Sequence, residues 1–224
     1  MKWRWSKTIL AIATSFLLLQ SGNGFAKNKT TVNKIVAFGD SITAGYPYLK
    51  VGNGCTNCGG YELFLQYYLD WDGQGSKVYN YGSSGEYLTF SGINRISSVL
   101  ASARPNYVLF MEGTNDLSAY VDPATVAYNV YYAAYKVLAA GAKPIVGLIT
   151  PDTRYGSDWK RVGKTNNYIK NYVGSTPLMC LSDQNSGLAP YWNSGYNYDK
   201  LHPNYYGYWI MGIYWYYALH GYCN

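Results

Sequence analysis

The sequence predicts an α/β fold in which a parallel sheet carries helices on both faces. Segments with the composition of buried strands alternate about five times with segments of helical periodicity. This alternation is typical of parallel sheets, because each crossover helix returns the chain to the starting edge of the sheet. No internal repeat, low-complexity run or linker interrupts the pattern, so we expect a single domain.

The expected strands are short runs of apolar and β-branched residues that end at glycine or at polar residues. The first of them ends in Gly39-Asp40-Ser41. Ligands bind beyond the carboxyl ends of the strands in open α/β sheets, so we expect a functional site there. The five segments are 34–41, 77–81, 107–111, 144–149 and 177–181.

The expected helices follow from apolar residues at helical spacing and from their end signals. Asp122 and Pro123 form a typical start, an N-cap followed by proline at the first helical position, and Gly141 ends that helix. The stretch 182–200 is polar and rich in Gly and Asn, so we expect a long loop there. The helices are 61–71, 93–103, 123–140, 159–172 and 204–219, the last of them capped near His202 and Pro203.

The N-terminus has the features of a secretory signal peptide. A basic start precedes an apolar stretch at 8–19, which is too short for a confident membrane span, and small residues lead up to Ala26. We therefore expect residues 1–26 to be a signal peptide and 27–224 to be one secreted or periplasmic domain, without a stable membrane span after signal removal.

The charge distribution argues against a nucleic-acid partner. The formal net charge is +6 and falls to +3 without residues 1–26, which contain three basic and no acidic residues. The remaining Lys and Arg are scattered, whereas nucleic-acid binding usually needs them clustered. The chain is unusual instead in its 27 Tyr and 7 Trp, residue types that are frequent at ligand surfaces but also fill cores.

The four cysteines predict disulfides in an exported protein. They are Cys55, Cys58, Cys180 and Cys223, and four cysteines allow three pairings. The simplest pairing joins Cys55 to Cys58 and Cys180 to Cys223. A zinc half-site or a redox motif at Cys55 and Cys58 is the alternative, but zinc would need two further ligands and the chain has only two His.

Ser41 is the candidate nucleophile, because it follows the first strand at the edge where ligands bind. The alternative is that Asp40 and Ser41 only cap the next helix. A hydroxyl nucleophile needs a base, most often His, and a third group that orients the base.

His202 is the candidate base. Asp199 lies three residues earlier, close enough to accept a hydrogen bond from the His202 ring on a tight turn. We interpret His220, near the C-terminus, as a surface residue or as a charge at the end of the last helix.

Acyl transfer also needs hydrogen-bond donors for the developing oxyanion. The candidates are the backbone N–H groups of Ser41 and Gly85 and the side-chain amide of Asn115. Gly and Asn are also ordinary turn residues, so each of these signals is weak alone. Together with Asp199 and His202 they would gather at neighbouring strand ends.

Four blocks of the sequence resemble the SGNH/GDSL hydrolase family, and they occur in the order in which that family carries them. They extend over nearly the whole of 27–224. The blocks are Gly39-Asp40-Ser41, Asn80-Tyr81-Gly82-Ser83-Ser84-Gly85, Gly113-Thr114-Asn115-Asp116 and Asp199-Lys200-Leu201-His202-Pro203-Asn204.

The resemblance implies a role for each candidate residue. Ser41 resembles the nucleophile, His202 the base and Asp199 the residue that orients the base, while Gly85 and Asn115 resemble the oxyanion donors. The family implies a flavodoxin-like, three-layer αβα sandwich with a five-stranded parallel sheet. It implies no metal and no other cofactor.

We expect a secreted serine esterase that hydrolyses short- to medium-chain acyl esters, whether the substrate is a small molecule, a lipid or an acylated glycan. One alternative is a carbohydrate acetylesterase, and another is a catalytically silent, aromatic-rich glycan-binding module. The aromatic residues expected in loops fit sugar platforms or an acyl groove. They are Tyr46, Tyr48, Tyr87, Tyr120, Tyr155, Trp192 and Tyr196.

Overall fold

A five-stranded parallel sheet forms the centre of this computed structural model, which describes residues 33–49, 59–73, 75–154 and 158–221. Within these residues the strand order is β2-β1-β3-β4-β5, and helices cover both faces. The predicted fold class is therefore confirmed. The strands are β1 (Lys34–Gly39), β2 (Lys77–Gly82), β3 (Tyr107–Met111), β4 (Lys143–Gly147) and β5 (Cys180–Ser182).

Strand β1 lies between β2 and β3, and the three strands end side by side. In the parallel register Gly39 is opposite Gly82 on one side and opposite Met111 on the other. The connections run in opposite directions from β1, so a crevice forms beyond its carboxyl end, as at the switch point of other open α/β sheets.

The helices form two layers, one on each face of the sheet. Helices α3, α5 and α6 pack on the face that carries Val36 and Phe38, and α2, α7 and α8 pack on the face that carries Ile35 and Ala37. The alternation of side chains along a strand produces these two separate cores. The helices are α1 (Ser41–Ala44), α2 (Tyr61–Trp71), α3 (Ile93–Ala103), α4 (Thr114–Ser118), α5 (Pro123–Ala139), α6 (Asp158–Gly174), α7 (Gln184–Tyr191) and α8 (Tyr205–Leu219), with π-helical turns at Leu88–Gly92 and Trp192–Tyr196.

Strands β4 and β5 differ from the predicted bounds. Strand β4 ends at Gly147 rather than at residue 149, because the side chain of Asn166 takes over both backbone groups of Ile149 at 2.9 Å. Strand β5 begins at Cys180 rather than at residue 177, because Leu178 has a positive φ of 68° that belongs to a turn.

The prediction of a long loop over 182–200 is wrong. Asp183 caps helix α7 by accepting a hydrogen bond from the N–H of Ser186 at 2.9 Å. Leu188 and Trp192 then anchor this segment in the core, with 0% and 1% exposure. Asp183 was a sequence signal for this helix, because Asp is a common N-cap residue. Gly187 and Pro190 have low helix propensity and argued against a helix here.

The terminal helix begins at Tyr205, one residue after the predicted start, because Asn204 is its N-cap. The Asn204 side chain accepts hydrogen bonds from the N–H groups of Tyr206 and Gly207, both at 3.1 Å. His220 caps the other end of α8, where its ring nitrogen contacts Asp72 at 2.8 Å and its ring stacks on Tyr216. This agrees with the interpretation of His220 as a residue at the end of the last helix.

Several predictions concern residues outside the described ranges. These are the signal peptide at 1–26 and the cysteines Cys55, Cys58 and Cys223. The disulfide pairing, which also includes Cys180, therefore remains a prediction. Across the residues that the structure describes, no helix is both long and apolar enough to cross a bilayer.

We predict that Asn166→Ala lowers the free energy of unfolding by about 2 kcal/mol, because the buried N–H of Ile149 loses its acceptor. Asn167→Ala, an exposed change at the next position of α6, should shift the free energy of unfolding by about 0.5 kcal/mol or less. Urea unfolding of both variants at unchanged m-value measures the difference. Equal losses in the two variants would contradict the role of Asn166.

Candidate active site

Ser41 is the first residue of α1, immediately beyond β1. The preceding residue, Asp40, caps this helix by accepting a hydrogen bond from the N–H of Ile42 at 2.9 Å. The capping alternative therefore holds for Asp40, while the Ser41 side chain is engaged elsewhere. Its hydroxyl lies 2.8 Å from Nε2 of His202, a residue 161 positions later in the chain.

His202 lies between Ser41 and Asp199. Its Nδ1 is 2.8 Å from the Oδ2 atom of Asp199. A carboxylate only accepts hydrogen bonds, so Nδ1 carries the ring proton and Nε2 is the acceptor for the Ser41 hydroxyl. The His202 side chain is only 12% exposed, whereas that of Asp199 is 37% exposed. The structure thus joins the three predicted side chains in one chain of hydrogen bonds.

The turn that carries Asp199 and His202 is held by its own side chains. The Oδ1 atom of Asp199 accepts hydrogen bonds from the N–H groups of Leu201 at 3.1 Å and His202 at 2.8 Å. Partial burial alone would raise the pKa of the Asp199 carboxyl, but the hydrogen bonds from the backbone and ring of His202 and from the N–H of Leu201, with the positive charge that His202 carries when protonated, outweigh this effect. The pKa is therefore lowered. Asp199 is therefore ionised at neutral pH and able to orient His202.

Tyr46, one of the aromatic residues expected in loops, packs against His202, a contact that its position in the sequence did not indicate. Its ring centroid is 4.6 Å from that of His202, and the Tyr198 ring packs edge-on against it at 5.9 Å. The carbonyl of Tyr46 accepts a hydrogen bond from the buried hydroxyl of Tyr208 at 2.7 Å. Tyr46 therefore restricts the orientation of the imidazole from the side.

Gly85 and Asn115 meet at Glu86. The Asn115 amide donates to the Glu86 carbonyl at 2.8 Å, which uses one of its two N–H groups. Gly85 has a positive φ of 78°, and no described atom lies within 4 Å of where its Cβ would be. This conformation favours glycine, and no neighbouring atom fills the position that a side chain would take.

The two oxyanion candidates are linked to Ser41 by the sheet rather than by a direct hydrogen bond. The N–H of Ser83 donates to the Gly39 carbonyl at 2.8 Å, which continues the pairing of β1 and β2 past the last register pair. The Asn80 amide donates to the Thr43 carbonyl in α1 at 2.7 Å. These contacts hold the loop after β2 beside the helix that begins with Ser41.

Asp116 is a positioning residue to which the sequence analysis assigned no role. It is fully buried, and its two carboxylate oxygens accept hydrogen bonds from the N–H groups of Leu88 and Thr89, each at 2.8 Å. Asp116, which directly follows Asn115, therefore holds the start of the Leu88–Gly92 turn in place. Only its place in the third sequence block could have indicated this.

The aromatic residues expected in loops, as sugar platforms or as an acyl groove, differ in exposure. Tyr48 and Tyr196 are partly buried against the core. Tyr46, Tyr87 and Tyr120 are exposed by 37%, 38% and 75%. Trp192 is buried in the core instead, where its Nε1–H donates to the Thr153 hydroxyl at 3.2 Å, so its assignment to a platform is wrong. Tyr155 lies outside the described residues.

Two buried acids lie directly beneath the site. Burial is the main cause that raises the pKa of the Asp40 carboxyl to about 7. The hydrogen bond from the N–H of Ile42 lowers this pKa, and the nearby carboxyls of Asp116 and Glu86 raise it further. Burial likewise raises the pKa of Glu112, at the end of β3, well above its usual range. The floor of the site therefore carries less negative charge than its carboxyl content suggests.

Comparison with protein families gives one match over most of the chain. The model of the GDSL-like lipase/acylhydrolase family matches residues 37–210. This range contains all four sequence blocks and every candidate site residue. No curated protein matches the chain in sequence.

Solved structures share the fold over most of their length. A member of the lipolytic protein G-D-S-L family from Veillonella parvula is 25% identical, with a TM-score of 0.67, and the match covers 84% of this chain and 97% of that one. An α/β hydrolase enzyme from the Lake Arreo metagenome is 18% identical, with a TM-score of 0.71 and coverages of 85% and 97%. A catalytic mutant of an acetylxylan esterase from Geobacillus stearothermophilus is 15% identical, with a TM-score of 0.71 and coverages of 85% and 96%.

We predict that Asp40→Asn reduces the pH dependence of stability. The Asp40 carboxyl has a pKa of about 7 in the folded protein and an ordinary pKa of 3.8 in the unfolded chain. Its contribution to the stability of the fold is therefore complete below pH 3.8 and is lost as the pH rises from there to about 7. Asn keeps the capping oxygen without the charge. In thermal unfolding from about pH 4 to about pH 8, the unfolding temperature of the variant should rise relative to that of wild type as the pH rises.

The same substitution at the exposed N-cap of α5, Asp122→Asn, controls for the amide itself. Curves for Asp40→Asn and wild type that stay parallel across the window would contradict the assignment.

Proposed function

Because this chain belongs to the GDSL-like lipase/acylhydrolase family, we propose that it is a secreted esterase for short- to medium-chain acyl esters. The family confirms the SGNH/GDSL resemblance of the four sequence blocks and identifies a serine carboxylic ester hydrolase. The observation that carries the proposal is the pair of 2.8 Å hydrogen bonds joining Ser41, His202 and Asp199. The apolar segment at 8–19, with its basic start, supports export.

The first step is attack of Ser41 on the ester carbonyl. Nε2 of His202 accepts the hydroxyl proton as Oγ forms its bond to the carbonyl carbon. The Asp199 carboxylate stabilises the imidazolium that results and keeps the ring oriented. Tyr46 limits rotation of the ring during this transfer.

The oxyanion of the tetrahedral intermediate is stabilised by three donors. They are the backbone N–H groups of Ser41 and Gly85 and the second N–H of the Asn115 amide, whose first N–H donates to Glu86. Donors that are already oriented cost no reorganisation when the charge develops, which is why such groups contribute strongly to catalysis.

The intermediate collapses when His202 returns its proton to the leaving alkoxide, and an acyl group stays on Ser41. His202 then takes a proton from a water molecule, which attacks the acyl carbonyl. A second oxyanion forms against the same donors. Its collapse breaks the bond to Oγ, releases the carboxylic acid and restores the Ser41 hydroxyl.

The contact between Tyr46 and His202 supports a preference for small acyl groups. The Tyr46 ring lies 4.6 Å from the imidazole and so occupies the volume directly beside the base. A carbohydrate acetylesterase is the second candidate. Exposed tyrosines at positions 87 and 120 favour it, since sugar rings stack on such side chains, and a structural neighbour is named as an acetylxylan esterase.

We expect the mature protein to hydrolyse p-nitrophenyl esters and Ser41→Ala to lose this turnover. Initial rates from acetate to palmitate should peak at short to medium chains, because the Tyr46 ring takes up space beside the base. A maximum at palmitate would contradict that preference. Release of acetate from an acetylated xylan, without turnover of p-nitrophenyl esters, would favour the acetylesterase instead. Glycan binding with no ester turnover would favour the silent module.

We expect Asn115→Ala to lower kcat roughly 100- to 1000-fold with a smaller change in KM, because one oxyanion donor is lost. Asn129→Ala is the matched control, since its amide also donates to the neighbouring turn, at the Thr89 hydroxyl, 3.0 Å away. Steady-state kinetics of the two variants measure the contrast. Near-normal turnover of Asn115→Ala would contradict the assigned role.

A further inference from the structure

Arg95 connects the groups that surround the nucleophile, although it lies on the first turn of α3 and outside the four sequence blocks. Its Nη1 donates to the carbonyl of Tyr81 near the end of β2 at 2.8 Å. Its Nη2 donates to the carbonyl of Gly39, the last residue of β1, at 3.2 Å. One guanidinium therefore holds two neighbouring strand ends together beneath Ser41.

The same guanidinium also holds the loop that carries Gly85. Nε of Arg95 lies 2.8 Å from both carboxylate oxygens of Glu86, and Nη2 makes a further close contact with Oε2. The Glu86 side chain is only 4% exposed. Because the backbone carbonyl of Glu86 accepts the hydrogen bond from Asn115, Arg95 and Asn115 fix the same residue from opposite ends.

The fork of the guanidinium suits this position better than an ammonium group. Arginine presents several N–H groups in one rigid plane, so it binds Glu86 and both carbonyls at once. That plane also lies over the Phe38 ring, with the guanidinium carbon 3.9 Å from the ring centroid. Lysine would keep the charge without the fixed geometry, which makes Arg95→Lys an informative substitution.

We propose that Arg95 is a positioning residue that holds the oxyanion donors of Gly85 and Asn115 in register with Ser41. This inference rests on the proposed esterase function. Arg95 acts through Glu86 and the strand ends and does not contact the reacting atoms. Oxyanion donors act mainly in the transition state, and a displacement of about 1 Å can cost roughly 100-fold in rate.

Arg95→Lys should therefore lower kcat roughly 10- to 100-fold while KM changes little. A purely structural role would lower the unfolding temperature and leave kcat per folded molecule unchanged. Arg161→Lys is the control, because that guanidinium also donates to a carbonyl, that of Val121 at 2.8 Å, and also lies over an aromatic ring, that of Tyr120. It should keep wild-type kcat.

Glu86→Gln provides a second variant if Arg95→Lys does not fold. It weakens the same link from the other end and leaves the guanidinium, which is 27% exposed, in place. Glu86→Gln alone should lower kcat while KM changes little, as expected for Arg95→Lys. Where both single variants and the double variant fold, the two losses in kcat should be less than additive, because both substitutions break one connection. Fully additive losses would contradict action through Glu86.

The rate at which a fluorophosphonate labels Ser41 gives a readout that needs no ester substrate. The label also develops negative charge on an oxygen beside Ser41, so Arg95→Lys should label roughly 10- to 100-fold more slowly than wild type and Arg161→Lys. Equal labelling of Arg95→Lys and wild type would overturn the role of Arg95 and leave the esterase proposal standing. A folded wild-type protein that neither labels nor hydrolyses esters would overturn both.

Discussion

The pairing of β1 with β2 on one side and β3 on the other is the constraint on which the site depends. Because Gly39 is level with Gly82 and Met111, the residues that follow the three strands meet at one edge of the sheet. Gly39 and Gly82 allow α1 to lie close to the ends of these strands. A Cβ at Gly39 would overlap the Thr43 side chain and the Met111 carbonyl, and one at Gly82 would overlap the backbone of Ala44. Side chains at these positions would push α1, and Ser41 with it, away from the sheet.

His202, the candidate base, comes from a different part of the fold, and its position depends on the core. The π-helical turn at Trp192–Tyr196 is anchored by Trp192, which is 1% exposed. Asn197 connects this turn to the segment with Asp199, since its amide donates to the Trp192 carbonyl at 2.6 Å and its oxygen accepts the N–H of Lys200 at 2.7 Å. His202 thus reaches Ser41 from a segment that Asn197 connects to the buried Trp192.

The sequence predicted most elements whose signals are local. Helices α2 and α3 have their predicted bounds, and Asp122 caps α5 as expected, because apolar periodicity and caps act within a few residues. The end of strand β4 was misplaced, and helix α7 was not predicted. The end of β4 is decided by Asn166 from a distant helix, and α7 persists despite Gly187 and Pro190 because Leu188 and Trp192 are buried. Tertiary burial overrode local propensity there.

The sequence by itself determined the fold class and pointed to the candidate site residues. The strand–helix alternation gave the parallel sheet, and the four blocks gave Ser41, Gly85, Asn115 and the turn of Asp199 and His202. Only the tertiary structure decided what holds them, such as Tyr46 against His202 and Arg95 between β1, β2 and Glu86. The physical reason is that periodicity and caps are short-range properties of the chain, whereas these contacts join segments far apart in sequence and exist only once the layers have packed.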